Sequence, residues 1–455
     1  MKRIVSVLSS LAFIAAFLWG YHEVVVPAYG YEGYIYDWPG VETMAWVIVL
    51  SLIPLLVIPM ELKKPSILIL WWLYITAYVP SMIMPVLTLR ISESTIFPLQ
   101  LAVLCTMLLL CAVPYAKTVI LPEANRIFSP KTFWWLFAIV WTGSIVSILS
   151  TISVAQVLTN FAFLFSGGSV YVVRADFSAQ MRQTGSALGY IGYLGRELCM
   201  ALDPFLLAYG FLSKRWWLII LGFGGQLVYF GQTGMKEVPL AVFLMYGIWL
   251  LYRRFGGRYG IALLLVVSGM IALCACVDMA KHDAILSAQF TRRTLATPGL
   301  LTGFYFEHFS AQGHHGHITD VSGTNDAYAP PQEIGLYYYG TTDADENANF
   351  WAEGFAELGV PGMFLFAFLV AFALWLYDSI AARRSLELAL LLVVMQADAL
   401  TNTSPLTVLA THGGLLIAIL LYFAPDIGQP LRLKTQPSWP RRRRAIGRIF
   451  PQLTS

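Results

Sequence analysis

Charge is confined to short stretches of this chain, and that confinement decides what it can fold into. Of 455 residues only 12% are Asp, Glu, Lys or Arg, while 58% are hydrophobic. The apolar runs between charged stretches are about 20 residues long, enough for a helix to cross a hydrocarbon core of roughly 30 Å. In that solvent every backbone N–H and C=O must be satisfied within the segment, so the runs read as helices. The fold class expected is therefore all-α, a polytopic integral membrane protein.

Lys and Arg near span ends are retained in the cytoplasm, which sets the sidedness. Lys2 and Arg3, Lys63 and Lys64, Lys117 with Arg126 and Lys131, Lys214 and Arg215, Arg253, Arg254 and Arg258, Arg383 and Arg384, and the tail Arg441 to Arg444 fall on one side if spans alternate. That predicts about twelve spans with both termini cytoplasmic. They are residues 4–20, 44–60, 66–86, 97–115, 132–150, 187–212, 216–232, 238–252, 259–277, 351–377, 386–401 and 406–424. Stretches 21–43, 151–186 and 278–350 then lie outside. The chain divides into 1–277 with the first nine spans, a large outer loop 278–350, the last three spans in 351–424, and a basic tail 425–455. Residues 151–172 are apolar but contain Gly167 and Gly168 without basic flanks, so they read as re-entrant or surface-lying. The first run has no small-residue cleavage site before Tyr21 and His22 and is expected to stay as a span.

The five cysteines all fall within expected spans, so no disulfide framework or zinc-ligand spacing is present. Net charge is +3. It resides largely in the tail, which suits anionic headgroups or simply anchors orientation. Nucleic acid is a poor partner for it, and the bilayer is the expected one. Ionisable residues inside a membrane are costly and face a partner or a cavity. Arg196, Glu197, Asp203, Lys236 and Glu237 are such groups. The pairs Arg196–Glu197 and Lys236–Glu237 read either as local charge neutralisation or as substrate-facing cations.

The loop 278–350 breaks the apolar pattern and holds most of the seven histidines together with Arg292 and Arg293. Arg293 is followed by Gly303, and in the other large outer stretch Arg174 is followed at similar spacing by Gly185, with Arg182 between. These paired Arg-to-Gly loops resemble those of the Wzy-type O-antigen polymerases, the oligosaccharide repeat-unit polymerases of bacterial surface polysaccharide. The stretches Gly231 to Lys236 and Asn347 to Gly362 are similar to that family too. The resemblance spans about residues 130 to 425 in layout. It implies a GT-C-like membrane glycosyltransferase in the bacterial inner membrane, acting on undecaprenyl-diphosphate-linked glycans at the periplasmic face. A chain-length regulator and a flippase are partners implied by the resemblance alone. Because Arg292 and Arg293 are adjacent, either can occupy the family's arginine position.

Such a polymerase must hold two polyprenyl-diphosphate glycans and join the anomeric carbon of one to a hydroxyl of the other. Guanidinium groups bind phosphate oxygens bidentately and stay charged, so Arg174, Arg182, Arg292 and Arg293 are diphosphate candidates, with Arg196 and Lys236 deeper. Contact with anionic headgroups is the bland alternative. Histidine can act as a base without a large pKa shift. Glu307 and His308, close after Gly303 in an aromatic stretch expected to lie on the membrane, are the preferred acid–base pair. The cluster His314, His315, His317 with Asp320 has the composition of a metal loop but lacks a Cys partner and is Gly-interrupted, so no metal or other cofactor is expected. Tyr305, Tyr338, Asn349 and Glu353, with Gly185 and Gly303, are candidates for binding sugar, although Tyr and Trp at a membrane boundary are also the ordinary aromatic belt. An O-antigen ligase shares the donor and the outer loop. A flippase or transporter, the alternative from another class, would be expected to show internal repeats and mid-membrane charges.

Overall fold

A computed structural model describes residues 2–89, 91–122, 128–162, 186–235, 237–319, 328–342 and 346–427. All regular structure among the described residues is helical, with no strand, as the apolar runs require. Six helices are long and apolar enough to cross a membrane: Arg3–Glu32, Pro65–Thr88, Glu93–Tyr115, Pro130–Leu149, Val238–Lys281 and Val360–Ala381. Pro405–Thr411 and Gly414–Phe423, bent by 51°, make a seventh if they form one span.

That count is lower than the twelve expected, for local reasons. The expected spans 238–252 and 259–277 fall in one helical stretch of 44 residues, which would measure about 66 Å if straight, twice a hydrocarbon core. A turn, Gly256–Arg258, separates its halves, Glu237–Phe255 and Tyr259–Lys281. The run 44–60 yields a shorter apolar helix, Val41–Leu56. The run 187–212 stays helical through a wide turn, Leu198–Leu202, but Arg196, Glu197 and Asp203 leave it too charged to count with the six. The run 386–401 forms two short helices, Leu386–Leu392 and Val394–Ala399. The run 351–377 breaks at Gly359, whose φ of +68° ends Phe350–Leu358 before Val360–Ala381 begins. That left-handed backbone favours glycine because a Cβ would strain it.

Two stretches read as outer loops are largely helical. Residues 21–43 continue the first helix as far as Glu32 through a wide turn, Tyr21–Val25. Within 278–350, the segment Ala288–Ala296 leads into Thr297–Gln312. This inserted helix does not lie on a membrane surface, as its aromatic content suggested. Of the twelve residues from Pro298 through Phe309, eleven are buried, among them Leu300, Phe304, Tyr305 and Phe306, and only Glu307 is not.

The inserted helix lies against Pro65–Thr88, the central helix, whose residues from Pro65 to Pro85 are all buried. Helices in lipid gain little from hydrophobic burial against each other and rely on close packing and hydrogen bonds. Gly299 and Gly303, spaced as Gly-x-x-x-Gly, supply the closeness. A Cβ on Gly299 would stand 2.4 Å from the Pro80 carbonyl oxygen, and one on Gly303 would stand 2.6 Å from Leu89 Cδ1. Across the same seam the Ser81 and Thr302 hydroxyls lie 2.9 Å apart. The helix Val154–Ala162, from the stretch expected to be re-entrant, packs on Trp216–Thr233.

Candidate functional site

The inserted helix carries two polar stations, one at each end, and a short helix, Pro330–Tyr339, straps them together. At the first, Arg292 is 6% exposed and forms an ion pair with Glu32. Its guanidinium sits 3.9 Å from the centre of the Tyr29 ring and 5.8 Å from that of Tyr34. Cation and ring faces attract through the ring quadrupole, more strongly when desolvated. The Tyr34 hydroxyl lies 2.8 Å from Thr297 Oγ1. Burial raises the Tyr34 phenol pKa, with Arg292 and Arg293 opposing. Arg293 itself is exposed, and among the described residues it makes no ion pair. The adjacent arginines therefore have different roles: Arg292 is locked inside, and Arg293 is presented outside.

At the second station, Glu333 of the strap helix holds two imidazoles. His308 Nε2 lies 2.7 Å from Glu333 Oε1, and His315 Nε2 lies 3.0 Å from Oε2. With the Nε2 proton directed at the carboxylate, Nδ1 of His308 is the nitrogen free to take a proton. That atom is buried and has no hydrogen-bond partner among the described residues. In this packing His308 fastens the strap to the inserted helix. Glu307 is half-buried on the open side, and the Tyr338 hydroxyl donates to its Oε2 at 2.6 Å. The Tyr338 ring stacks on Phe304 at 3.8 Å with an interplanar angle of 10°. Burial and then the Glu307 hydrogen bond raise the Tyr338 phenol pKa, keeping it a donor.

The strap runs antiparallel to the inserted helix, because Glu333 meets His308 whereas Tyr339 meets Phe304 and donates to the Glu32 carbonyl at 3.2 Å. Tyr337, Tyr338 and Tyr339 thus form an aromatic strip between the stations, with Tyr337 60% exposed. From Arg293 to Glu307 the helical rise amounts to about 20 Å. The two groups cannot act on one bond, contrary to the single catalytic cluster that their closeness in sequence suggested.

Other expected site residues are occupied internally. The Tyr305 hydroxyl lies 3.0 Å from the Glu346 carbonyl and 3.2 Å from Glu353 Oε1, and both side chains are buried. Asn349 is fully buried at the start of Phe350–Leu358. Gly303 meets a packing need. Arg196 Nη1 lies 3.0 Å from His412 Nε2 within the bundle, and Glu197 accepts from the Gly413 N–H at 3.3 Å. Arg174, Arg182, Gly185, Lys236 and Asp320 lie outside the described residues. No group of three or more His, Cys, Asp or Glu able to hold a metal occurs among the described residues.

Sequence reasoning missed Glu32 and Glu333, which fix the arginine and the histidines. Glu32 is masked by a Tyr-rich stretch. Glu333 had a weak signal, an acid in the first turn after Pro330 and Pro331, where the helix dipole favours it. No protein-family model, no curated protein and no solved structure matches the chain.

Proposed function

We propose that the protein is a membrane glycosyltransferase that joins polyprenyl-diphosphate-linked oligosaccharides, in the manner of the O-antigen polymerases its loops resemble. The observation that supports the reading is the order of groups along the inserted helix and its strap: an exposed cation, three consecutive tyrosines, then a hydrogen-bonded carboxylate. A lipid-linked glycan has matching chemistry, a diphosphate at one end and sugar rings after it. Arg293 takes the diphosphate as a forked donor, together with the arginines of the 151–186 stretch. Tyr337 and Tyr339 present their exposed rings to sugars, and Glu307 with Tyr338 binds hydroxyls farther along.

In the transfer, a bond forms between the acceptor oxygen and the donor's anomeric carbon as the bond from that carbon to the diphosphate oxygen breaks. The leaving diphosphate keeps its charge against the guanidinium groups, an electrostatic contribution that grows in the transition state. The acceptor hydroxyl's proton passes to a carboxylate, and Glu32 is the one beside the arginines. The compartment proposed is the bacterial inner membrane, with this face periplasmic and the termini cytoplasmic.

The test is the surface-polysaccharide profile of a host lacking the chain, complemented by variants. Loss of the ladder with single-unit capping retained, restored by wild type and not by Arg293→Ala, is the expected result. Loss of all capping would indicate a ligase or flippase instead, and an unchanged ladder would remove the proposal.

A further inference from the structure

A cleft of about 450 Å³ opens on the opposite side of the charge pattern, between the helix Pro130–Leu149 and the pair Asp203–Ser213 and Trp216–Thr233. Its apolar walls include Trp134, Trp135, Trp141 and Trp217, and its cations are Lys131 and Arg215. Both cations sit at helix starts: Lys131 is the second residue of Pro130–Leu149, and Arg215 immediately precedes Trp216–Thr233. The helix dipoles therefore add to the two charges in attracting an anion. Among the described residues neither cation forms an ion pair.

The cleft's length identifies the anion. From Lys131 to Trp141 the helix rises about 15 Å, half of a roughly 30 Å hydrocarbon core, which is the depth of one leaflet. At the inner end the Trp141 indole donates to Asp203 Oδ1 at 2.8 Å and turns its ring to the wall. A free anion would use the mouth and none of the tryptophan surface. A membrane lipid uses both.

We infer that this cleft is a binding site for an anionic phospholipid of the leaflet marked by the basic clusters, its phosphate held by Lys131 and Arg215 and an acyl chain lying against the tryptophans. Basic pockets between membrane helices on that side recognise such headgroups. The site is separate from the proposed glycan face and does not depend on that reading.

The test is native mass spectrometry of the full chain in detergent, titrated with phosphatidylglycerol or with phosphatidylcholine of the same acyl chains. Wild type should bind phosphatidylglycerol selectively. At about fivefold for each basic residue, Lys131→Ala with Arg215→Ala should weaken that binding roughly 30-fold. Ala138→Trp, which narrows the cleft without changing charge, should weaken both lipids, and it keeps the test open if the double variant fails to fold. Inorganic phosphate in millimolar excess should not displace the lipid. Equal binding of the two lipids by wild type, undiminished binding by Ala138→Trp, or displacement by phosphate would each overturn the assignment.

Discussion

Replacing Asn349 separates a substrate-binding side chain from one that holds the bundle together. Its Oδ1 accepts from the Trp351 N–H at 3.1 Å and the Ala352 N–H at 3.3 Å, capping Phe350–Leu358. Its Nδ2 donates to Thr302 Oγ1 at 2.7 Å and to Ser81 Oγ at 3.2 Å, tying that helix to the inserted and central helices. Removing an N-cap costs about 1 kcal/mol, and each lost hydrogen bond costs about 0.5–1.5 kcal/mol. The two hydroxyls keep each other and, for Thr302, the Pro298 carbonyl, so neither is orphaned and no larger desolvation penalty is due. Asn349→Ala should therefore cost roughly 2–4 kcal/mol. Asn349→Ser can still cap but cannot reach across, and should recover about 1 kcal/mol of it. Thermal unfolding of the detergent-purified protein should rank wild type above Ser and Ser above Ala. Activity per folded molecule should stay unchanged. A wild-type melting curve for Asn349→Ala, with transfer abolished, would refute the reasoning and return Asn349 to the substrate.

The two arginines should part company: Arg292→Ala leaves Glu32 unpaired and should destabilise by about 1–3 kcal/mol after allowing for the partial exposure of that glutamate, whereas Arg293→Ala should melt within about 0.5 kcal/mol of wild type yet lose polymer formation, with Lys at 293 a poor rescue. Gly299→Ala should destabilise, because its Cβ meets a backbone carbonyl and overpacking costs about 1–3 kcal/mol. Gly303→Ala should destabilise less, because its Cβ would meet the movable end of Leu89 at 2.6 Å and Pro85 Cα only at 3.3 Å, and Ala exceeds Gly in a helix by about 1 kcal/mol; melting curves in one detergent give the order. Burial raises the Tyr338 and Tyr339 phenols above their usual value, so the folded chain keeps protons that the unfolded chain releases above about pH 10. Stability should fall as pH rises through that range, less steeply in Tyr338→Phe, as followed by alkaline unfolding. Turnover should survive EDTA and His314→Ala, because the proposed diphosphate site is built from guanidinium groups; loss on chelation with recovery on added divalent metal would reverse this.

The helical class was legible because it rests on composition and backbone hydrogen bonding, which lipid makes strict. Span number was less so. Hydropathy alone cannot distinguish a run that crosses the bilayer from one that breaks inside the protein, and the breaks at Gly359 and between Thr411 and Gly414 depend on what packs beside them. The largest misreading was Thr297–Gln312. Its aromatic, nearly uncharged sequence fits a surface-lying helix and a buried one equally well. What decides between them is Gly299 and Gly303 against Pro80 and Leu89, a contact between segments more than 200 residues apart in the chain, as Ser81 and Thr302 are at |i−j| of 221.

The candidate site shows the same division. Residue types were readable, since guanidinium for phosphate and carboxylate or imidazole for protons follow from chemistry alone. Partners were not. Arg292 and Arg293 are equivalent in sequence, and only Glu32, Tyr29 and Tyr34, from the other end of the chain, make one a buried strut and leave the other exposed. His308 reads as a base in sequence, and the structure adds Glu333 on its Nε2 and a buried Nδ1. Glu307, one residue earlier, then becomes the accessible acid because consecutive positions on a helix face about 100° apart. In this fold a charged side chain's accessibility depends on whether a distant acid has engaged it: Glu32 and Glu333 hold Arg292 and His308, while their neighbours Arg293 and Glu307 stay at least partly exposed.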